Sequence, residues 1–122
     1  MTTNEWRIQD VPARVAAGAA YLDAIVPGWA NKVNLLDFDI RSQYECVLAQ
    51  VFGEGEDEET DTTENGFEQG RHVLMIPYEV CDALGFDAHS YETDKGHHYT
   101  SPEPEYAALQ AEWERVINER SN

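Results

Sequence analysis

The stretch that most constrains the fold is residues 42–53, an amphipathic segment with its own start and stop signals. Ser42 and Glu45 match a capping box, in which each side chain satisfies a backbone N–H of the first helical turn. Gly53 stands where a residue in the left-handed conformation commonly ends a helix. Between them, large apolar residues recur at the spacing of one helical face: Tyr44, Val47, Leu48, Val51 and Phe52. The stretch therefore predicts a buried helix over residues 42–53.

Two longer segments predict helices near residues 11–26 and 103–120. The first begins after Asp10, an N-cap residue, with Pro12 in the first turn, where the missing N–H is not needed. Its apolar stripe is Val11, Val15, Ala19, Leu22 and Val26. Prolines and acids open the last segment, and its stripe is Tyr106, Leu109, Trp113, Val116 and Ile117. Both stripes have the spacing of a helix that packs on a core.

The remaining segments predict little regular structure. A minor helix is expected near residues 77–84, between Pro77 and Gly85, and any strand would be short, around Val73–Ile76. Residues 1–9 are interpreted as a loose N-terminal lead-in. The whole chain, residues 1–122, is therefore predicted to be one mainly α domain. This domain would be a small bundle of three principal helices plus one short helix, with long irregular connections and at most a short strand pair.

Charge restricts the classes of partner. Asp and Glu number 24 against 8 Lys and Arg, which gives a net charge of −16. Such a field repels nucleic acid and anionic membranes and favours basic partners. We therefore expect no direct binding to nucleic acid and none to membranes. The chain has no apolar leader, no long apolar run and only 2 cysteines, so a cytoplasmic location is predicted.

The charge is densest in residues 54–66, which are predicted to be a mobile acidic loop. Like charges at this density resist compaction, and no hydrophobic residue occurs between Glu54 and Asn65. The acids are candidates for contacting a partner: Glu54, Glu56, Asp57, Glu58, Glu59, Asp61 and Glu64. Their alternative role is solubility alone.

The same loop contains a weak calcium-binding pattern. Oxygen-bearing residues occupy ligand positions of a calcium-loop frame: Asp57, Glu59, Asp61, Thr63, Asn65 and Glu68. However, Thr62 replaces the glycine of the sharp turn, and Glu64 replaces the apolar residue that fixes the loop. We therefore predict no metal site and no cofactor, and keep Asp57, Glu59, Asp61 and Glu68 as weak candidates. The zinc alternative, in which His89, His97 and His98 act with Cys81, lacks any pair with ligand spacing.

No catalytic residues are predicted, and the protein is expected not to be an enzyme. Cys46 lies beside the apolar face of the central helix and next to Glu45, where a thiolate is not favoured. Ser42 is explained as a helix cap. Carboxylate pairs such as Asp37 with Asp39 or Glu103 with Glu105 are unavoidable among 24 acids.

Aromatic residues in polar surroundings are the other candidates for a binding surface. Trp29, Tyr78 and Tyr91 lie outside the helical stripes, and exposed aromatics commonly anchor interfaces. The alternative is that such residues cover the core of a domain with long connections.

Four segments carry a resemblance to a known group of proteins. They are "RVAAGAAYLDAIVPGW" (Arg14 to Trp29), "CVLAQVFG" (Cys46 to Gly53), "LGFDA" (Leu84 to Ala88) and "EYAALQAEWERVI" (Glu105 to Ile117). In this order they resemble small uncharacterised proteins encoded by actinobacteria and their bacteriophages. The acidic loop is a departure from that group. The resemblance implies an accessory protein in the host cytoplasm, and it implies no activity.

Three functional hypotheses follow from these observations. The first is a non-enzymatic protein that binds a host or phage protein, with a basic partner favoured by the charge. A narrower one is an acidic mimic of nucleic acid that blocks a basic DNA- or RNA-binding protein. The third is a metal-binding protein or metal-dependent enzyme that uses the acidic loop or the histidines.

Overall fold

Helices make up most of the described chain, as predicted. The structure, a computed structural model, describes residues 9–53, 55–57, 62–64, 66–88 and 103–121. In chain order, the elements of the described residues are helix α1 (Val11–Ile25), a 3-10 helix (Trp29–Lys32), α2 (Val47–Phe52), strands β1 (Gly55–Asp57) and β2 (Thr62–Glu64), and helices α3 (Gly66–Leu74), α4 (Tyr78–Ala83) and α5 (Glu103–Arg120).

The predicted helices near 11–26, 77–84 and 103–120 are confirmed as α1, α4 and α5. Helices α1 and α5 lie side by side and run in the same direction. Near their starts, Arg14 pairs with Glu105 at 3.0 Å, and near their ends Asp23 pairs with Arg120 at 3.2 Å. The apolar stripes of both helices are buried in one core.

The predicted helix over residues 42–53 is wrong in its first half, because α2 begins only at Val47. The Ser42 hydroxyl does accept the N–H groups of Tyr44 and Glu45, at 3.1 and 3.2 Å, but these bonds close a turn. The carbonyls of Gln43 and Glu45 accept hydrogen bonds from Phe67 and Asp39, which come from other parts of the chain. Tyr44 is therefore exposed, although the helical spacing predicted it to be buried.

The short strand expected around Val73–Ile76 is also wrong, since Val73 and Leu74 end a helix that the sequence pattern did not reveal. Helix α3 buries Phe67, Gly70 and Leu74. Its glycines let it lie very close to α2, because a Cβ on Gly66 would come within 2.5 Å of the Ala49 Cβ. Glycine lowers helix propensity, so the residues that permit this packing also make the helix difficult to predict from the sequence.

The strand pair occurs instead inside the acidic segment. Strands β1 and β2 are antiparallel, with Gly55 opposite Glu64, Glu56 opposite Thr63 and Asp57 opposite Thr62. The other residues of the predicted acidic loop, 54, 58–61 and 65, lie outside the described part of the chain. Its mobility stays a prediction, as does the loose character of residues 1–8.

Stacked aromatic rings form the centre of the core. The Trp113 ring of α5 stacks on Phe86 with their centroids 5.6 Å apart, and Trp29 meets it edge-on at 5.8 Å. The Trp113 indole N–H donates to the Gly85 carbonyl at 2.7 Å. These contacts hold residues 85–88 against α5, and they thereby help to place the Asp87 side chain.

Candidate functional site

Trp29 was predicted to contact a partner, and this prediction is wrong because the residue is buried. Its side chain is 1% exposed, and its indole N–H donates to Asp23 Oδ1 at 2.8 Å. The 3-10 helix turns the ring inward onto Trp113, so the alternative role, covering the core, is correct for this residue. Tyr78 is largely exposed and stays a candidate, whereas Tyr91 lies outside the described residues.

The acids of the predicted loop divide into two groups. Glu56 and Asp57 belong to β1 and Glu64 to β2, whereas Glu54, Glu58, Glu59 and Asp61 are outside the described residues. Their role in binding a partner stays a prediction.

Glu68, a weak metal candidate, has partners within the fold. Its carboxylate accepts hydrogen bonds from Arg71 and from the Tyr78 hydroxyl, both at 2.7 Å. Burial would raise the pKa of Glu68, but these bonds outweigh it and lower the pKa. Among the described residues, no group of three or more His, Cys, Asp or Glu side chains is placed to bind a metal ion. The histidines His89, His97 and His98 are not part of that set.

Both cysteines are buried and free, which confirms Cys46 as a packing residue. Burial raises the pKa of the Cys46 thiol to about 11 and that of the Cys81 thiol to about 12. Each thiol is therefore protonated near neutral pH and is a poor nucleophile.

The carboxylate pairs noted in the sequence do not form shared sites. Asp37 accepts from the Asn34 side chain at 3.1 Å, whereas Asp39 accepts from the Arg41 N–H at 3.0 Å. Glu103 and Glu105 project to different arginines, Arg41 and Arg14. Each carboxylate stabilises its own part of the fold.

Exposed apolar side chains gather where α3 meets α4. Within residues 73–80, Val73, Met75, Tyr78 and Val80 are all exposed, and Met75 is 87% exposed. We call these four side chains the 73–80 surface. Large apolar groups are expected at single surface positions, but four of them within one helical corner suggest a contact region.

Met75 has an unusual backbone conformation at this corner. Its φ is 58°, the left-handed region that glycine usually occupies at the end of a helix. The Met75 N–H donates to the His72 carbonyl and the Ile76 N–H to the Arg71 carbonyl, both at 3.1 Å. This is the hydrogen-bond pattern of a Schellman motif, with methionine in the position that glycine normally takes. A side chain there costs roughly 1 kcal/mol.

Tyr78, three residues after Met75, has two side-chain partners in α3. The Arg71 guanidinium lies 4.3 Å from the centroid of the Tyr78 ring, and the hydroxyl donates to Glu68. One face of the ring is therefore covered by the Arg71 side chain of α3, while 54% of the residue stays exposed. A rigid aromatic ring loses little conformational entropy on binding a partner.

An open cleft of about 420 Å³ lies at the opposite end of α3. It is lined by the turn at residues 40–44, Phe67 at the start of α3, Phe86, Asp87 and Tyr106 of α5. We call it the Asp87 cleft. Gln110 of α5 positions the turn, because it accepts from the Ile40 N–H at 2.8 Å and donates to the Phe38 carbonyl at 2.9 Å.

The Asp87 carboxyl group has one oxygen fixed by the protein. Oδ1 accepts hydrogen bonds from the Ala88 N–H at 2.9 Å and from the Tyr106 hydroxyl at 3.0 Å. Burial, together with the negative charges of Asp82 and Glu105, raises the pKa of Asp87. A carboxyl group in such surroundings is stabilised when a cation approaches it.

Arg14 positions the segment that carries Asp87. Its Nε donates to the Asp82 carbonyl and its Nη2 to the Asp87 carbonyl, each at 2.8 Å, while Nη1 pairs with Glu105. The partners of Arg14 could not be predicted from the sequence, since Arg14 stands in an alanine-rich helix, 91 residues before Glu105. The one local signal was an arginine close to an otherwise apolar stripe.

Among the described residues, no helix combines the length and apolar character that crossing a bilayer requires. No protein-family model, no curated protein and no solved structure matches the chain. The resemblance to actinobacterial and phage proteins therefore stays a prediction.

Proposed function

We propose that the protein acts by binding another protein through the 73–80 surface, without catalysing a reaction. The observation that carries the proposal is Met75, a large apolar side chain in a left-handed backbone conformation. Its conformation reduces stability and its side chain packs on little of the protein. A residue that costs stability without contributing to the core is explained if it contributes to binding. Methionine suits this role because it is flexible and polarizable.

The partner we propose has an apolar patch bordered by basic residues. The net charge of −16 attracts cationic surfaces over long range and speeds their association. Glu79 lies between Tyr78 and Val80 in α4 and is exposed, so a basic side chain of the partner can pair with it at the rim. The apolar contacts would supply affinity, and the charges would supply speed and orientation.

The first prediction concerns Met75→Gly, which separates binding from stability. Glycine adopts the left-handed conformation without a Cβ penalty, so the free energy of unfolding should stay equal or rise by up to about 1 kcal/mol. Affinity for the partner should fall, because the most exposed part of the 73–80 surface is removed. Urea denaturation measures the first effect. Affinity capture from a nuclease-treated actinobacterial lysate, followed by calorimetry with the recovered protein, measures the second.

Leu36→Ser is the matched control, since Leu36 is 95% exposed and lies in a different loop. A partner that binds the natural protein and Leu36→Ser, but binds Met75→Gly more weakly, would support the proposal. Equal binding to all three proteins would contradict the proposed surface. Recovery of no partner would count against a binding function as a whole.

The acidic mimic is the narrower alternative, supported by the same net charge. It predicts a basic nucleic-acid-binding partner that DNA competes away and that salt releases. Binding would then survive Met75→Gly and be lost when the acids between Glu54 and Glu64 are changed to amides. The same capture experiment, run with both variants, distinguishes the two proposals.

A further inference from the structure

We propose that the Asp87 cleft binds an organic cation, a guanidinium or ammonium group, with Asp87 Oδ2 as its hydrogen-bond acceptor. The cleft begins at Phe67, at one end of α3, whereas the 73–80 surface lies at the other end. The inference is therefore independent of the proposed function, and each can fail without the other.

The first argument is the geometry of the Asp87 carboxylate. Two donors fix Oδ1, while Oδ2 accepts no hydrogen bond from the residues that the structure describes. An ionised carboxylate can accept about four hydrogen bonds, so Oδ2 can accept hydrogen bonds from a ligand. A half-buried carboxylate is stabilised most by a cationic donor, because charge-assisted hydrogen bonds are about twice as strong as neutral ones.

The second argument is that the carboxylate is already oriented. The Tyr106 hydroxyl and the Ala88 N–H hold the side chain, while Arg14 holds the Asp87 carbonyl. Such a group loses little conformational freedom when a ligand arrives, so more of the interaction energy appears as affinity.

The third argument concerns the cation that the cleft already contains. Arg41 lines the cleft, but its guanidinium pairs with Glu103 at 2.9 Å and lies 4.0 Å from Asp39. With two carboxylates around it, Arg41 does not leave a net positive charge for an anionic ligand. The negative charge of Asp87 remains, and it favours a cation.

The fourth argument is the aromatic residues in the lining. Tyr44, Phe67, Phe86 and Tyr106 are among the residues that line the cleft. Tyr106 already accommodates a guanidinium, since the Arg41 Cζ lies 5.4 Å from its ring centroid. The volume of about 420 Å³ falls within the range of small-molecule sites, about 300–1,000 Å³, and suits a cation on an alkyl stem.

The experiment is a titration of the isotope-labelled protein with matched probes, followed by NMR. The probes are N-acetyl-arginine methylamide, its neutral isostere N-acetyl-citrulline methylamide, and spermidine. We expect saturable shifts of the Ala88 and Tyr106 amides with the arginine probe and binding of the citrulline probe at least about tenfold weaker. The arginine and spermidine arms separate a side chain of a protein partner from a free amine, because either source carries the proposed group.

Asp87→Asn tests the acceptor, and Asp37→Asn is its control on an exposed loop. The asparagine Oδ1 can still accept from Ala88 and Tyr106, so the fold should be kept, which the NMR spectrum checks directly. Affinity for the arginine probe should fall at least about tenfold in Asp87→Asn and stay unchanged in Asp37→Asn.

Three results would overturn the inference: no saturable shift with either cation, equal binding of the citrulline and arginine probes, or an Asp87→Asn variant that binds like the natural protein. If Asp87→Asn did not fold, the comparison of arginine with citrulline on the natural protein would still decide. Met75→Gly should leave this binding unchanged.

Discussion

Arg14 is a buried arginine whose side chain joins three separate parts of the chain. It is 5% exposed and pairs with Glu105, which is 2% exposed, while two further donors reach the carbonyls of Asp82 and Asp87. Removing charged groups from water is costly, and good geometry with additional hydrogen bonds is what offsets that cost. Arg14 thereby connects α1 to α5, to Asp82 in α4 and to Asp87, which lines the Asp87 cleft.

The second prediction is that Arg14→Met destabilises the protein strongly. Glu105 would lose its buried cation, the Asp87 carbonyl would lose the Arg14 donor, and the Asp82 carbonyl would keep only its backbone donors, so the free energy of unfolding should fall by about 3–5 kcal/mol. Arg14→Met combined with Glu105→Gln should cost less than Arg14→Met alone, because no buried charge is then left behind. Urea denaturation of the three proteins measures the coupling.

Arg115→Gln is the control for this prediction. Arg115 pairs with Glu112 and Glu119 on the exposed face of α5, where water screens the charges. Its loss should change stability little. A comparable effect of both arginine variants would show that burial does not determine the strength of the Arg14 pair.

At the scale of single residues, sequence reasoning succeeded for Cys46 and failed for Trp29. Cys46 directly precedes Val47 and Leu48 in the apolar stretch, and all three are buried, so its burial was predictable. Trp29 follows a Pro-Gly turn and precedes polar residues, which is typical of an exposed loop. Its burial depends on Trp113, which lies far along the chain, and no local pattern contains that contact.

At the scale of elements, the long apolar stripes of α1 and α5 were sufficient to predict these helices. The shorter helices α2 and α3 could not be predicted correctly from their local pattern. Helix α2 has 6 residues, and α3 has 9 with glycine at two buried positions. Such short helices are stabilised by tertiary contacts rather than by propensity, so their bounds depend on neighbours that the sequence does not show. The Asp87 cleft was missed for the same reason, since its walls come from four separate segments.

The third prediction concerns the contact between α1 and the end of α4. A Cβ on Gly18 would lie 2.0 Å from the Leu84 carbonyl oxygen and 3.2 Å from the Trp113 ring. Because a backbone carbonyl cannot move away cheaply, Gly18→Ala should lower the free energy of unfolding by about 1–3 kcal/mol, although alanine favours a helix. Thermal unfolding followed by circular dichroism measures the change.

Ala17→Gly provides the comparison on the exposed side of α1. It should cost about 1 kcal/mol from helix propensity alone. If Gly18→Ala instead stabilised the protein, the close approach of Leu84 to α1 would be wrong.

At the scale of the whole molecule, the fourth prediction concerns salt. The net charge is −16, and the negative charges repel each other more strongly in the compact folded chain than in the expanded unfolded chain. Raising the ionic strength from about 0.01 M to about 0.15 M shortens the screening length from about 30 Å to about 8 Å. The melting temperature should therefore rise over this range with sodium chloride.

An equal rise with an uncharged osmolyte at the same osmolality would indicate preferential exclusion rather than screening. A fall in melting temperature would mean that exposed ion pairs, such as Arg120 with Asp23, contribute more than the overall repulsion.

The contacts of Arg14 also have a consequence for how the protein is made. Synthesis on the ribosome produces α1 early, but the partners of Arg14 lie at residues 82, 87 and 105, and the Trp113 that covers Trp29 comes later still. Until α5 emerges, the apolar stripe of α1 therefore stays uncovered and Arg14 stays in contact with water. Elements whose partners lie far along the chain pack late and expose apolar surface until then. In this protein the high density of negative charge is present from the middle of the chain onward, where it can keep neighbouring nascent chains apart.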